Sequence, residues 1–192
     1  MAKIDPETGI WELATAKKKH RHDHYLLASI LKFYTSPDIK MIADLGCGDG
    51  WYCHILSKIW KHATIHGYEG TPGINETGYY KDIFTIDLSK IRYVDIDYDL
   101  VLCLEVGEHI PKQHEQKFLD NVKRFASKYL VMSWAIPGQG GTGHFNEQPN
   151  DYIISQMDDR KFKYNDKVSQ KLRQYTEKKW FRNTVMAFEQ YY

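Results

Sequence analysis

Residues 41–50, MIADLGCGDG, constrain the fold of this 192-residue chain more tightly than any other stretch. A short apolar run (Met41, Ile42, Ala43) passes through Asp44 and Leu45 into a loop with glycine at 46, 48 and 50, and a helical pattern of Trp51, Tyr52, Ile55, Leu56 and Ile59 follows. That order predicts a strand, a tight turn and a helix start. Glycine tolerates positive φ and, lacking Cβ, lets a ligand lie against the backbone. The helix N-terminus behind the turn adds unpaired N–H groups. A nucleotide-like molecule would fit against such a loop.

Spacing narrows the choice. A dinucleotide turn runs G-x-G-x-x-G, but here the third glycine comes one residue early and Trp51 stands in its place. The Lys-Ser/Thr pair of a phosphate loop is missing too, so a nicotinamide-dependent dehydrogenase lacks the turn it needs. Residues 63–70 (ATIHGYEG) read as a second strand ending in Glu69, whose two carboxylate oxygens, about twenty residues past the loop, can accept both hydroxyls of a ribose. Residues 83–88 (IFTIDL) read as a third strand ending in Asp87. Residues 98–105 (YDLVLCLE) read as a fourth, apolar nearly throughout as a strand buried on both faces should be, and ending in Glu105. After an amphipathic helix carrying Phe118, Leu119, Val122 and Phe125 comes a fifth strand, residues 129–135. This alternation predicts an α/β fold, a doubly wound, mostly parallel sheet with helices on both faces. Such sheets bind ligands at the carboxyl ends of their strands, where the glycine loop, Glu69, Asp87 and Glu105 all fall.

The flanking segments are less regular. Leu27, Ile30, Leu31 and Tyr34 have helical spacing up to Ser36-Pro37, and KKKHRHDH (residues 17–24) before them reads as a solvated helix face or a loose entry segment. Residues 183–190 (NTVMAFEQ) predict a last, edge strand. Residues 137–150, with glycines at 138, 140, 141 and 143, form a long irregular loop, and such loops are functional or disordered. The 26 Lys+Arg against 25 Asp+Glu leave a net charge of +1, so no global field draws the chain to nucleic acid or an anionic membrane. Three cysteines (Cys47, Cys53, Cys103) without C-x-x-C spacing argue against a disulfide framework or structural zinc, and fit a reducing cytosol. With no signal-peptide core and no eighteen-residue apolar run, a cytoplasmic protein without a membrane partner is expected.

With an acid before its first glycine, D-L-G-C-G-D-G resembles the first motif of class I S-adenosylmethionine (SAM) methyltransferases, and the resemblance extends over residues 41–135 and, more loosely, the last strand. It implies a single domain over residues 1–192, built on a seven-stranded Rossmann-like methyltransferase sheet with an antiparallel C-terminal edge strand. It implies SAM as cofactor, held by Asp44, Gly46, Cys47, Gly48 and Glu69, with Asp87 accepting the adenine amino group, Leu88 beside the ring, and Glu105 bordering the cofactor. Asp87 has an equally good reading as the cap of an Asp-Leu-Ser turn. Residues 1–36 would form a helical lid, turning Trp11, His22 or Asp23 toward the site, and residues 137–150 an acceptor loop.

A sulfonium methyl needs alignment and exclusion of water more than a dedicated base, and a base only for a weak nucleophile such as a hydroxyl. His109 and His144 are the catalytic candidates, with Glu108, Trp134 and Phe145 at the same edge. The expected acceptor is a small-molecule or sugar hydroxyl. Residues 105–109, EVGEH, also have the E-x-x-E-H order of the ubiquinone-pathway O-methyltransferases and the small-RNA terminal 2′-O-methyltransferases, which this stretch resembles. In both groups a later histidine completes a divalent-metal site, and His144 stands in the corresponding region. A site without metal is the first expectation. A metal-assisted enzyme acting on a catechol-like compound or an RNA 3′ end stays open beside it, as does a SAM-binding scaffold without catalysis.

Overall fold

The structure, a computed structural model, describes residues 3–191. Five strands run parallel: β1 (Met41–Leu45), β2 (Thr64–Glu69), β3 (Ile83–Thr85), β4 (Tyr98–Cys103) and β5 (Ala126–Met132). β6 (Phe162–Tyr164) and β7 (Met186–Gln190) are antiparallel, and the sheet order is β3-β2-β1-β4-β5-β7-β6. The central strands are the ones whose apolar runs are longest. Ile42 to Leu45 on β1 and Leu100 to Cys103 on β4 are buried throughout, as a strand covered on both faces requires.

Helices cover both faces. On one side α2 (His24–Phe33), α3 (Trp51–Ile59) and α7 (Asp166–Tyr175) bring Leu27, Leu56 and Leu172 against Ile42, Leu100 and Val131. On the other, α5 (Glu115–Phe125) and α6 (Asn150–Asp158) bring Phe118, Phe125 and Met157 against Val101, Leu130 and Trp134. Each such buried side chain contributes about 1.5–3 kcal/mol. The short α1 (Leu13–Lys19), α4 (Ile74–Thr77) and α8 (Phe181–Thr184) are the remaining α-helices, and two 3-10 turns, Gly107–His109 and Lys112–His114, lead from β4 into α5. Among the described residues no helix is long and apolar enough to cross a membrane.

Three details differ from the sequence reading. The last strand, β7, lies one position in from the rim, because the three-residue β6 pairs outside it. β3 ends at Thr85, two residues short of Asp87. The N-terminal segment holds two helices, divided where His20 and His22 turn inward as half-buried side chains while the lysines of α1 stay exposed.

Candidate functional site

At the carboxyl edge of the sheet, β1 gives way to the glycine loop. Gly46 has φ +70° and Gly48 φ +58°, and a Cβ on Gly48 would come within 2.9 Å of the His20 ring. Glycine is therefore required by conformation and by close approach together. The amides of Gly46 and Cys47 donate to the Tyr68 carbonyl at 2.7 and 3.1 Å, tying the loop to β2. Gly48 N–H donates to Glu69 Oε2 at 2.9 Å, while Glu69 Oε1 accepts from the amide and hydroxyl of Thr71. A carboxylate oxygen accepts more than one bond, so Glu69 is oriented by the loop and keeps lone pairs for a ligand. Asp49 accepts from Trp51 N–H and bonds His22 Nε2 at 2.8 Å, occupying part of the helix N-terminus that the sequence suggested was free. Asp44 is buried, and burial pushes its carboxyl up to about 7.

A second group gathers where β4 ends. Glu105 adopts φ +56°, a left-handed conformation rare outside glycine. Its Oε1 accepts from Ser133 Oγ at 2.7 Å and Oε2 from Gln139 Nε2 at 3.3 Å. Glu108 is fully buried, and neither of its side-chain oxygens receives a hydrogen bond. Burial first, and neighbouring Glu105 second, hold its carboxyl well above the usual range. His109 donates from Nδ1 to the Gly143 carbonyl at 3.0 Å, an assignment that follows because a carbonyl only accepts, so Nε2 carries the lone pair. Burial lowers this imidazole to about 4. His144 Nδ1 lies 3.0 Å from Glu147 Oε1, and Glu147 also accepts the amides of Gly138 and Gly140. Ligand atoms of Glu108, His109 and His144 lie within 4.8 Å of one another.

Both groups open into one cavity of about 410 Å³. Asp44, Gly46, Cys47, Gly48, Glu69, Leu88, Glu105, His109 and His144 all line it, as does Glu108. Asp87 does not: its carboxylate accepts from the amide and hydroxyl of Ser89 and pairs with Lys90, so the turn-cap reading describes its place, and Ile86 and Leu88 form that part of the wall. Trp134 is fully buried and donates Nε1–H to the Asn146 carbonyl, Phe145 points outward, and Asp23 caps α2 away from the cavity. The end of the 137–150 loop is fastened. Phe145 and Asn146 amides donate to the Glu108 carbonyl, and Asn146 and Gln148 side chains donate to buried Glu115.

The roof comes from the N-terminus. Trp11 meets the His109 ring edge-on at 5.0 Å, and Gly9, at φ +79°, sits so close that a Cβ would lie 2.0 Å from the His109 carbonyl oxygen. His20 lies over Gly48 with Nδ1 buried and unpartnered. Sequence reading missed His20, Gln139, Glu147 and the lining pair Trp180 and Phe181. His20, Trp180 and Phe181 owe their places to contacts between distant segments, while Gln139 and Glu147 lie within the 137–150 loop that the sequence already marked.

Solved proteins share the order and covering of this sheet. This is the class I methyltransferase fold. The chain is similar to a magnesium protoporphyrin IX methyltransferase (ChlM) from Synechocystis PCC 6803 with bound S-adenosylhomocysteine (SAH), at 17% identity over 86% of this chain and 81% of that one, TM-score 0.62. It is similar to the methyltransferase domain of bacterial CtHen1, at 16% identity, 86% and 97% coverage, TM-score 0.61. It is equally similar to the cyclase SpnF, at 11% identity, 94% and 82% coverage, TM-score 0.61. No family model matches the sequence, and no curated protein does. Likeness at such identities is likeness of fold, and a cyclase in the same fold means that function has to be argued from the site.

Proposed function

We propose that the chain is a SAM-dependent methyltransferase acting on a hydroxyl of a small molecule or sugar. The observation that carries this reading is the shared cavity: a carboxylate at the end of β2, held by the glycine loop, opens into the same chamber as two imidazoles. Asp44, Gly46, Cys47 and Gly48 would cradle the methionine and ribose parts, Glu69 the ribose hydroxyls, and Leu88 with Ile86 the adenine. The sulfonium is already electrophilic, so the chain has to align the acceptor and exclude water, which the roof of Gly9, Trp11 and His20 suits. His144 is the imidazole assigned as base, because Glu147 behind it bonds Nδ1 and orients the ring, leaving Nε2 for the acceptor. His109, lowered to about 4, is too weak a base to take a hydroxyl proton well, and serves to position the acceptor.

Calorimetry tests the cofactor. Wild-type protein should bind SAM and SAH, and Glu69→Ala should weaken binding by about 1.5–3 kcal/mol, the scale of hydrogen bonds to a charged group. No heat at millimolar ligand would refute the reading. Methyl transfer from labelled SAM to pooled hydroxyl compounds separates an enzyme from a binding scaffold.

One observation favours a second reading, with a metal. Ionised Glu108 has no donor for either oxygen, so it needs a proton or a cation. With two imidazoles within 4.8 Å the donor set fits a divalent ion, Mn²⁺, Fe²⁺ or Zn²⁺ rather than Mg²⁺. Glu108, His109 and His144 would hold it, with Glu105 alongside, and a bound ion would supply Lewis acidity toward acceptor hydroxyls. Titration with Mn²⁺, followed by electron paramagnetic resonance, should show a site lost in His144→Ala. Full activity after exhaustive chelation, with no metal in elemental analysis, would remove the ion and leave the transferase.

A further inference from the structure

The formal charge of +1 hides a local imbalance at the cavity mouth. Lys17, Lys18 and Lys19 end α1, Arg21 follows, and all four are exposed. Lys179 and Arg182, exposed as well, flank Trp180 and Phe181. The two segments are tied together, because the Lys178 amide donates to Asp23 Oδ2 at 2.8 Å. Both border the cavity, the first through Lys19, His20 and Arg21, the second through Trp180 and Phe181.

Among the described residues none of these six cations forms an ion pair, and the acids around them are engaged. Glu12 pairs with Lys3, Asp49 with His22 and Glu177 with Lys178, while Asp23 is buried and accepts the amides of Leu26 and Lys178. The dipole of a seven-residue helix accounts for a lysine or two at its end, but not for Lys179 and Arg182 on another segment. The single carboxylate of a methionine group would not balance six positive charges either. The floor has the opposite character, with Asp44, Asp49 and Glu69 in the wall of the same cavity.

We propose that the acceptor carries phosphate, held at this rim while its hydroxyl reaches the imidazoles of His144 and His109 in the wall of the same cavity. Lysine supplies point charge and arginine a fork of donors, the two usual means of binding phosphate oxygens, and the acidic floor turns a phosphate away. The acceptor class is then a phosphorylated polyol, whether a sugar phosphate, a nucleotide or the end of a single-stranded nucleic acid. The word "acceptor" rests on the methyltransferase reading; phosphate binding at the rim does not.

The full chain, saturated with SAH, would be titrated with ribose 5-phosphate, ADP, a short fluorescein-labelled single-stranded RNA and, as neutral control, ribose. Phosphate probes should bind and ribose should not. For the RNA, about four phosphate contacts give a slope of log K on log salt near −2.8, about a fifty-fold loss between roughly 50 and 200 mM salt. Lys18→Ala combined with Lys179→Ala takes one exposed charge from each segment, so it should lower that slope by about 1.4 and leave the melting temperature and SAH affinity unchanged. RNA binding at least tenfold tighter than ADP identifies a strand end, and equal affinities a small phosphorylated acceptor; either supports the proposal. It is overturned if no phosphate probe binds at millimolar concentration, if binding ignores the double substitution, or if that substitution weakens SAH alone. The first two outcomes with SAH binding intact leave the methyltransferase reading standing, and loss of SAH binding by the wild type is a failure of that reading instead.

Discussion

Asp44 is almost wholly buried, and among the described residues the Cys53 thiol, 3.7 Å away, is its one side-chain hydrogen-bond donor. Its carboxyl is raised to about 7, against about 3.9 in an unfolded chain. The folded state therefore holds this proton more tightly. The stability that results is complete below about pH 4 and is lost as pH rises through 7. Glu105 and Glu108, raised mainly by burial, act in the same direction. Buried His109, lowered to about 4, acts in the opposite direction. We therefore expect the melting temperature of ligand-free Asp44→Asn, taken relative to wild type, to rise between pH 4 and 7. An identical slope in the variant would show that Asp44 titrates normally. At this scale the sequence was legible wherever a residue's place in the cavity wall follows from its own strand end, as for Asp44, Glu69 and Glu105. It was ambiguous at Asp87, where a turn two residues long competes for the same carboxylate, and silent about His20, whose position depends on a segment folding back over Gly48.

Among the elements, the central strands β1 and β4 were the most legible because burial on both faces leaves long apolar runs. β6 was not, since three residues with one buried side chain carry no period. The 137–150 loop is only partly free: Glu108, Glu115 and Trp134 hold its second half, so movement is confined to the glycines at 138–141, which Glu147 spans. The N-terminal strap has a different weak point. Gly9→Ala would add a Cβ at a positive φ and 2.0 Å from the His109 carbonyl oxygen, so the strap should lift while the sheet stays folded. Limited proteolysis within residues 3–22 should quicken and SAH binding weaken, with little change in the main thermal transition. Equal cutting of variant and wild type would mean that the strap tolerates the methyl group.

Across the whole molecule, one continuous segment reaches both ends of the cavity. His20 covers the cofactor loop, Gly9 and Trp11 cover His109, and Ile4 packs on Gly143, so that a Cβ there would fall 2.2 Å from its Cδ1. Two ligands under one cover cannot exchange independently. Whichever occupies the glycine loop has to arrive first and depart last, which imposes an ordered kinetic scheme on the proposed transferase. Turnover then waits on uncovering rather than on bond making. A pre-steady-state burst of product followed by a slower, viscosity-sensitive rate is the expected signature, and a linear time course from the first turnover would place the slow step in the chemistry.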